Sequence, residues 1–209
     1  MKNISIALLT IFCFGCKQNV KSKQESRYAE LLKLYKITTI DTLKVFAANN
    51  PDSAGYEFKG IKLDTASISL LPKQMLKDTV PIYAVYKFAI DSLKTGLITR
   101  TPGNNQSSSI KLLIYDKQKD SITDYVELAD LPGAGPDAIA KTSWVYKDGN
   151  KDAVCFLKEE IYRDNSIEDP KDTVQTKTSR YYSLGFKKTI HDTLDKNAVS
   201  LLATFKQKD

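Results

Sequence analysis

Between residues 80 and 188 the chain runs through short segments in which apolar and polar side chains alternate, each closed by Gly, Pro, Asn or Asp. A period of two, broken every eight to twelve residues or so by turn formers, confines such a chain to antiparallel sheet. Ile82, Ala84, Tyr86, Phe88 and Ile90 alternate within residues 80–91, and Gly96 marks a turn before a strand over 97–101. Beyond a polar loop at 102–109 follow a strand over 110–115, a turn over 116–120 and a strand over 122–129. The second half repeats the scheme, with strands over 142–146, 153–162 and 176–188 and a Pro/Asp/Glu-rich loop over 163–172. Consecutive short strands joined by tight turns predict a β-meander.

Helical spacing occurs at both ends of this region. Tyr28, Leu31, Leu32 and Tyr35 follow Ser26 and predict an amphipathic helix over about residues 23–36. Residues 67–76 have the look of a helical turn that Pro72 interrupts. Ala198, Leu201, Leu202 and Phe205 have helical spacing behind Asp195, although so short a run also suits a strand after an Asp-Lys-Asn turn. The expected fold class is therefore α+β, an antiparallel meander with an N-terminal amphipathic helix and, in one of the two readings, a C-terminal helix. No internal repeat or heptad pattern divides the chain, and residues 24–209 are expected to form a single domain.

The first residues predict a different fate. Met1-Lys2-Asn3 precedes an apolar run from Ile4 to Gly15, interrupted by Ser5 and Thr10 and followed by Cys16. A charged start, a short apolar segment and a small residue match a secretory signal peptide over 1–15, whereas a spanning helix takes about 20 apolar residues. Cys13-Phe14-Gly15-Cys16 resembles the lipobox of bacterial lipoproteins, with Cys13 where that family usually has Leu. The resemblance implies cleavage before Cys16, lipid on its sulfur, and two or three acyl chains that hold the protein at a membrane. Residues 16–23 then form the lipidated Cys and a polar tether. Lys17 is not the Asp that retains lipoproteins at the inner membrane, and no acidic run follows the anchor. The same resemblance thus implies the outer membrane and its periplasmic face.

Charge and cysteine content agree with that organisation. The formal net charge of +6 is concentrated near the anchor: residues 17–36 carry six Lys or Arg against Glu25 and Glu30, and residues 37–209 carry 24 against 23 acidic residues. A nearly neutral domain lacks the basic footprint of nucleic-acid binding, while Lys17, Lys21, Lys23 and Arg27 suit either anionic headgroups or a solvated tether. With Cys13 removed and Cys16 lipidated, Cys155 is the one remaining thiol and no intramolecular disulfide can form. Its apolar surroundings, Ala153-Val154-Cys155-Phe156-Leu157, predict a buried structural residue rather than a nucleophile.

Motifs for chemistry are sparse. His191 is the sole histidine, which together with one thiol excludes a His/Cys zinc site within one chain. It lies in a turn-like polar stretch without a Gly-x-Ser-x-Gly elbow, so no triad is expected. Residues 133–138 match G-x-G-x-x-A, but too few residues precede the strand at Trp144 for the helix of a dinucleotide site. Residues 148–154 resemble the latter half of calcium loops in FG-GAP-type β repeats. Trp144 and Tyr146 stand where the first ligands would be, so a plain hairpin turn with Gly149 at positive φ is expected. Arg100, beside Pro102 and Gly103, is either a surface residue or an anion contact, and the adjacent Glu159 and Glu160 should face opposite ways.

Asp followed by Ser or Thr and then an apolar residue occurs eight times, at Asp41, Asp52, Asp64, Asp78, Asp91, Asp120, Asp172 and Asp192. With 18 Asp and 33 Ser plus Thr in 209 residues, composition alone gives about three such pairs. The pattern resembles an O-glycan acceptor motif of exported proteins in some Gram-negative lineages. It equally suits the capping of turns by Asp and Ser/Thr.

These features predict no catalytic, cofactor or metal residues; the one site assigned is lipidation at Cys16. The expected role is a non-catalytic envelope module that binds a protein or glycan partner, with a carboxylate-dependent hydrolase of an envelope polymer as the alternative.

Overall fold

The computed structural model describes residues 25–76, 81–102, 108–186, 190–193 and 198–206. In chain order these form α1 (Ala29–Leu34), β1 (Lys36–Ile37), β2 (Thr42–Val45), β3 (Ile61–Lys62), α2 (Thr65–Ser69), β4 (Tyr83–Ala89), β5 (Lys94–Thr101), β6 (Ser109–Asp116), β7 (Ser121–Asp130), β8 (Asp137–Lys147), β9 (Ala153–Asp164), β10 (Gln175–Gly185), β11 (Ile190–Thr193) and α3 (Ala198–Lys206). Strands β4 to β11 pair in sequence order, each antiparallel to the next, which is the meander the alternation predicts. The parallel pairing of β1 with β4 is the exception to the antiparallel pattern.

Alternation places each half of the sheet between two apolar layers. From β5 and β6, Ile98, Ile110, Leu112 and Ile114 meet Val145, Cys155, Leu157 and Leu184 of β8, β9 and β10 in one core. Leu97, Leu113 and Tyr115 point the other way and pack on Tyr28, Leu31, Leu71 and Met75 beside the first two helices. The outer face of β8 and β9 presents Trp144 and Phe156 to Ala198 and Phe205 of α3. One sheet therefore doubles back so that its halves share a core, with helical segments on both outer faces. Burial on both sides explains the nearly unbroken apolar run of β6, whose one interruption is Lys111. The fold-back occurs between β7 and β8, which pair only at Asp130 and Lys141.

The N-terminal helix expected over 23–36 is not supported at that length: six residues are helical, and Lys36–Ile37 are already strand. Tyr28, Leu31 and Tyr35 are buried as the spacing implies, but Tyr35 is extended (φ −83°, ψ 127°), and the following backbone pairs with Tyr86 and Lys87 of β4. Tertiary pairing here outweighs local helical preference. Near the C-terminus the helical alternative holds, as α3. Around Pro72, α2 ends at Ser69 and a 3₁₀ turn covers Lys73–Met75.

Gly60 illustrates how closely β3 approaches β4. Its φ is +69°, and a Cβ there would lie 2.6 Å from the Ala84 carbonyl oxygen. Gly60→Ala combines left-handed strain with overpacking, so a loss of about 2–3 kcal/mol is expected. Denaturant unfolding of the two proteins checks it, and equal midpoints would show that β3 does not need this geometry.

Candidate functional site

The polar side chains of the fold converge where the sheet doubles back. A register shift between Ile110 and Lys111 marks a bulge in the β6–β7 pairing, which places Glu127 opposite Lys111. Asp130 closes β7 as partner of Ser109 on one side and Lys141 on the other. Bulges bend a strand and re-aim its side chains, and here the bend opens a cleft of ≈ 250 Å³ lined by Glu127, Asp130, Gly133, Asp137, Ile139 and Lys141 among others.

Glu127 is the hub. Its Oε1 accepts from Ser109 Oγ (2.8 Å) and Lys111 Nζ (3.2 Å), and its Oε2 from Lys141 Nζ (3.0 Å). Lys111 also donates to Thr101 Oγ1 (2.9 Å) and Ser109 Oγ (3.1 Å), so each of its three N–H groups has an acceptor. Lys141 lies 3.7 Å from Glu159 as well. Burial pushes the Glu127 carboxyl upward, but the charges of Lys111 and Lys141 and the bonds from Lys141 and Ser109 outweigh it and hold it below its usual range. Burial likewise works against charge on Lys141, and Glu127 overcomes it, so that ammonium is held more tightly than an exposed one.

Asp130 is the opposite case. Burial, then the charge of Glu127, pushes its carboxyl up to about 6. Among the described residues it accepts one hydrogen bond, from the Leu131 N–H at 3.0 Å. Asp137, on the same wall, is held by Arg163 Nη1 at 2.6 Å, and Arg163 also binds Glu168. A folded carboxyl raised from 3.8 to about 6 destabilises the protein wherever it must ionise, above about pH 6. Asp130→Asn should therefore stabilise at pH 8, by roughly 1–2 kcal/mol after solvent screening is allowed for. The gain should shrink through about pH 6 and vanish near pH 4. Thermal melts across that range measure it; a pH-independent difference would assign the effect to shape rather than charge.

Other hollows are less equipped. A groove of ≈ 330 Å³ lies against the bulge between Ala84 and Tyr86, where β3 leaves the β4 edge and β1 joins it; its charged lining residues are Lys33, Lys36 and Glu57, with one carboxylate against the three of the β7–β8 cleft. The aromatic group Phe46, Tyr56, Phe58 and Tyr86 has edge-on or tilted ring contacts at 5.6 to 6.0 Å, and two of its rings, Tyr56 and Phe58, are buried. It is a core element with one exposed edge at Phe46 and does not form a flat aromatic platform. Few convergent polar groups on a concave wall are what a ligand site requires, and the β7–β8 cleft has them.

The sequence candidates are placed elsewhere. Cys16 lies outside the described residues. Cys155 is fully buried and its thiol is pushed up to about 12 by burial, with Ser143 acting weakly in the other direction. Arg100 is buried rather than superficial. It stacks 3.6 Å over the Tyr83 ring and donates to the Lys59 carbonyl and to Asp52 at 3.0 Å, pinning the loop before β3. His191 belongs by its backbone to β11 rather than to a turn. Residues 133–136 are loop, and β8 begins at Asp137, so no helix follows the glycines.

At the 148–152 turn the positive φ belongs to Lys151 (63°), not Gly149. Asp148 Oδ1 accepts the N–H groups of Asn150 and Asp152, both at 2.9 Å, which commits this carboxylate to the turn. Trp144 packs under α3 with Tyr146 beside it. Glu159 and Glu160 do part as expected, the first towards Lys141 and the second to Lys158 and Lys177. What sequence reasoning missed was Glu127, Asp130 and Lys141. The available signal was Lys111 inside an apolar strand, since a lysine there demands a buried acid.

No family model, no curated protein and no solved structure matches this chain.

Proposed function

We propose that this chain is a lipid-anchored protein of the outer membrane, held through Cys16 and facing the periplasm, whose domain is a non-catalytic binding module for an envelope glycan. The anchoring rests on the Gly15-Cys16 junction after a short apolar run; among the described residues no helix is long and apolar enough to cross a membrane. The binding role rests on one observation. Asp130 is a half-buried carboxyl with a single described hydrogen bond, at the wall of a polar cleft. Around pH 6 such a group both accepts and donates, and above that it accepts, which suits sugar hydroxyls.

Replacing Cys16 with Ser should abolish lipid labelling and release the protein in soluble form; persistence in the membrane fraction, processed as before, refutes the anchor. For the cleft, peptidoglycan-derived disaccharides titrated into the protein by NMR should shift the amides of Asp130, Leu131 and Lys141. Asp130→Ala should weaken that binding about tenfold or more, the equivalent of one charge-assisted hydrogen bond. Shifts unaffected by the substitution would move the site elsewhere.

A hydrolase has one observation in its favour: two carboxyls in one cleft, one raised and one lowered, is how acid and base roles separate. Against it, both oxygens of Glu127 are occupied by Lys111, Lys141 and Ser109, so the partner of a protonated Asp130 is not free to act as base or nucleophile. Release of reducing ends from the same sugars, falling above about pH 6, would decide for the enzyme.

A further inference from the structure

The copies of the Asp-Ser/Thr-apolar triplet at Asp78 and Asp192 lie outside the residues whose side chains are described, and the other six separate into two groups. In two copies the hydroxyl residue is a partly buried strand position and the apolar residue packs on a core. Thr42 donates to the Asp41 carbonyl at 2.8 Å and Leu43 packs on the main core, while Ile122 packs beside Tyr115 and Asp120 bonds Ser26 and Tyr115. Four other copies, beginning at Asp52, Asp64, Asp91 and Asp172, lie in turns or at a helix start.

In those four the Asp alone has a structural task. Asp64 Oδ1 caps α2 through Ser67 N–H (2.8 Å), Asp91 Oδ1 accepts from Leu93 and Lys94 N–H (both 2.7 Å), Asp172 Oδ1 accepts from Val174 N–H (3.1 Å), and Asp52 holds Arg100. The hydroxyl residues Ser53, Thr65, Ser92 and Thr173 are all exposed, and their side chains make no hydrogen bond to any described residue. The third residues are exposed too: Ala54 and Ala66 lie at the surface, Leu93 is 43% exposed and Val174 55%. Turn chemistry therefore accounts for the Asp and leaves a free hydroxyl beside an unburied apolar residue unexplained, four times over. A linear pattern that folding does not need, repeated on unrelated elements and always accessible, has the character of something read from outside.

We propose that Ser53, Thr65, Ser92 and Thr173 are acceptors for O-linked glycans. In each case the Oγ of the side chain attacks the anomeric carbon of a diphosphate-activated sugar. The new carbon–oxygen bond replaces the bond to phosphate, the diphosphate departs with its electron pair, and the hydroxyl proton passes to a base of the transferase. The neighbouring Asp favours a sugar over a phosphate. A phosphoryl group would set a second anion beside a carboxylate already committed to turn N–H groups or to Arg100, whereas a neutral glycan is bulky, soluble and suited to the surface.

Peptide-level mass spectrometry of the full chain purified from its native cells tests this. Saccharide mass is expected on Ser53, Thr65, Ser92 and Thr173 and not on Thr42 or Ser121. Ser53→Ala, Thr65→Ala, Ser92→Ala and Thr173→Ala should each remove their own increment and leave the circular dichroism spectrum unchanged, because these exposed hydroxyls bond to no described residue. Bare side chains at these positions, phosphate in place of sugar, or sugar on Thr42 and Ser121 as readily as on the four, overturns the proposal.

Discussion

Replacing Glu127 with Ala is expected to destabilise the domain by about 3 kcal/mol, the range for leaving buried charge without its partner. The side chains of Lys111 and Lys141 are only 13% and 23% exposed, and one carboxylate serves both. Removing it leaves Lys111 without its carboxylate and Lys141 with only the longer contact to Glu159 at 3.7 Å, at the place where the halves of the sheet meet. The pH dependence identifies the cause. Because Glu127 is held below its ordinary value of 4.5 when folded, its contribution is present above that value and lost as pH falls through the lower folded one. Lys141 is raised above 10.5, so its share is present below that pH and lost as pH rises through the folded value. The difference between wild type and Glu127→Ala should therefore be a plateau through neutral pH that closes at both extremes. Replacing Lys111, Glu127 and Lys141 together by apolar residues of similar size should recover most of the stability, as buried ion pairs often allow. A single-substitution loss below about 1 kcal/mol, the scale of a surface pair, would show that solvent reaches the cluster and that the cleft is shallower than its geometry implies.

The sheet was legible in the sequence to the extent that its strands were locally determined. From β4 onwards, alternation and turn residues act within the hairpin itself, and the expected strands agree with the observed ones apart from their ends, from β11 and from the turn expected at Gly96. That glycine lies inside β5 opposite Phe88 and Ile114, while the chain turns at 90–93. Ends shifted where pairing extended them: β8 begins at Asp137 rather than near Thr142 because β9 continues opposite it to Asp164. The short strands β1, β2 and β3 carry no such signal. Thr42–Val45 pair with Ser143 to Tyr146, about a hundred residues away, and nothing local announces that partner. The expected N-terminal helix failed for the same reason, since its last turn is drawn into β1. The cleft was illegible because its groups are unremarkable singly. Glu127 is one polar position of an alternating strand and Lys141 lies just before the strand expected over 142–146; the β6–β7 bulge sets Glu127 opposite Lys111, and only the fold-back at Asp130 brings Lys141 to them. Arg100 stood out for its neighbours Pro102 and Gly103, yet its role is set by Tyr83, Lys59 and Asp52, none of them adjacent in sequence.

The outer layer makes the second large prediction. Phe156 has no exposure and lies among Trp144, Tyr181 and Phe205, with ring centroids 5.7 to 5.8 Å away. Phe205 brings α3 onto that stack, lying 5.4 Å from Trp144 with planes 7° apart and 5.2 Å from Tyr146. Phe156→Ala should lose about 3–5 kcal/mol, transfer plus the cavity left in a close-packed layer. Phe205→Ala should lose less, about 2–3 kcal/mol, because a terminal helix can partly resettle over the gap. The two should not add. Once Phe156 is gone, part of what Phe205 packs against is gone too, and the double substitution should fall short of the sum by about 0.5–1.5 kcal/mol. Trp144 is the single tryptophan of the chain, so its emission reports this layer without labels. Phe205→Ala should shift that emission to the red at denaturant concentrations too low to unfold the sheet, as the helix releases and water reaches the indole. Strictly additive losses, with emission that moves only in the global transition, would mean that α3 rests on the sheet without holding it.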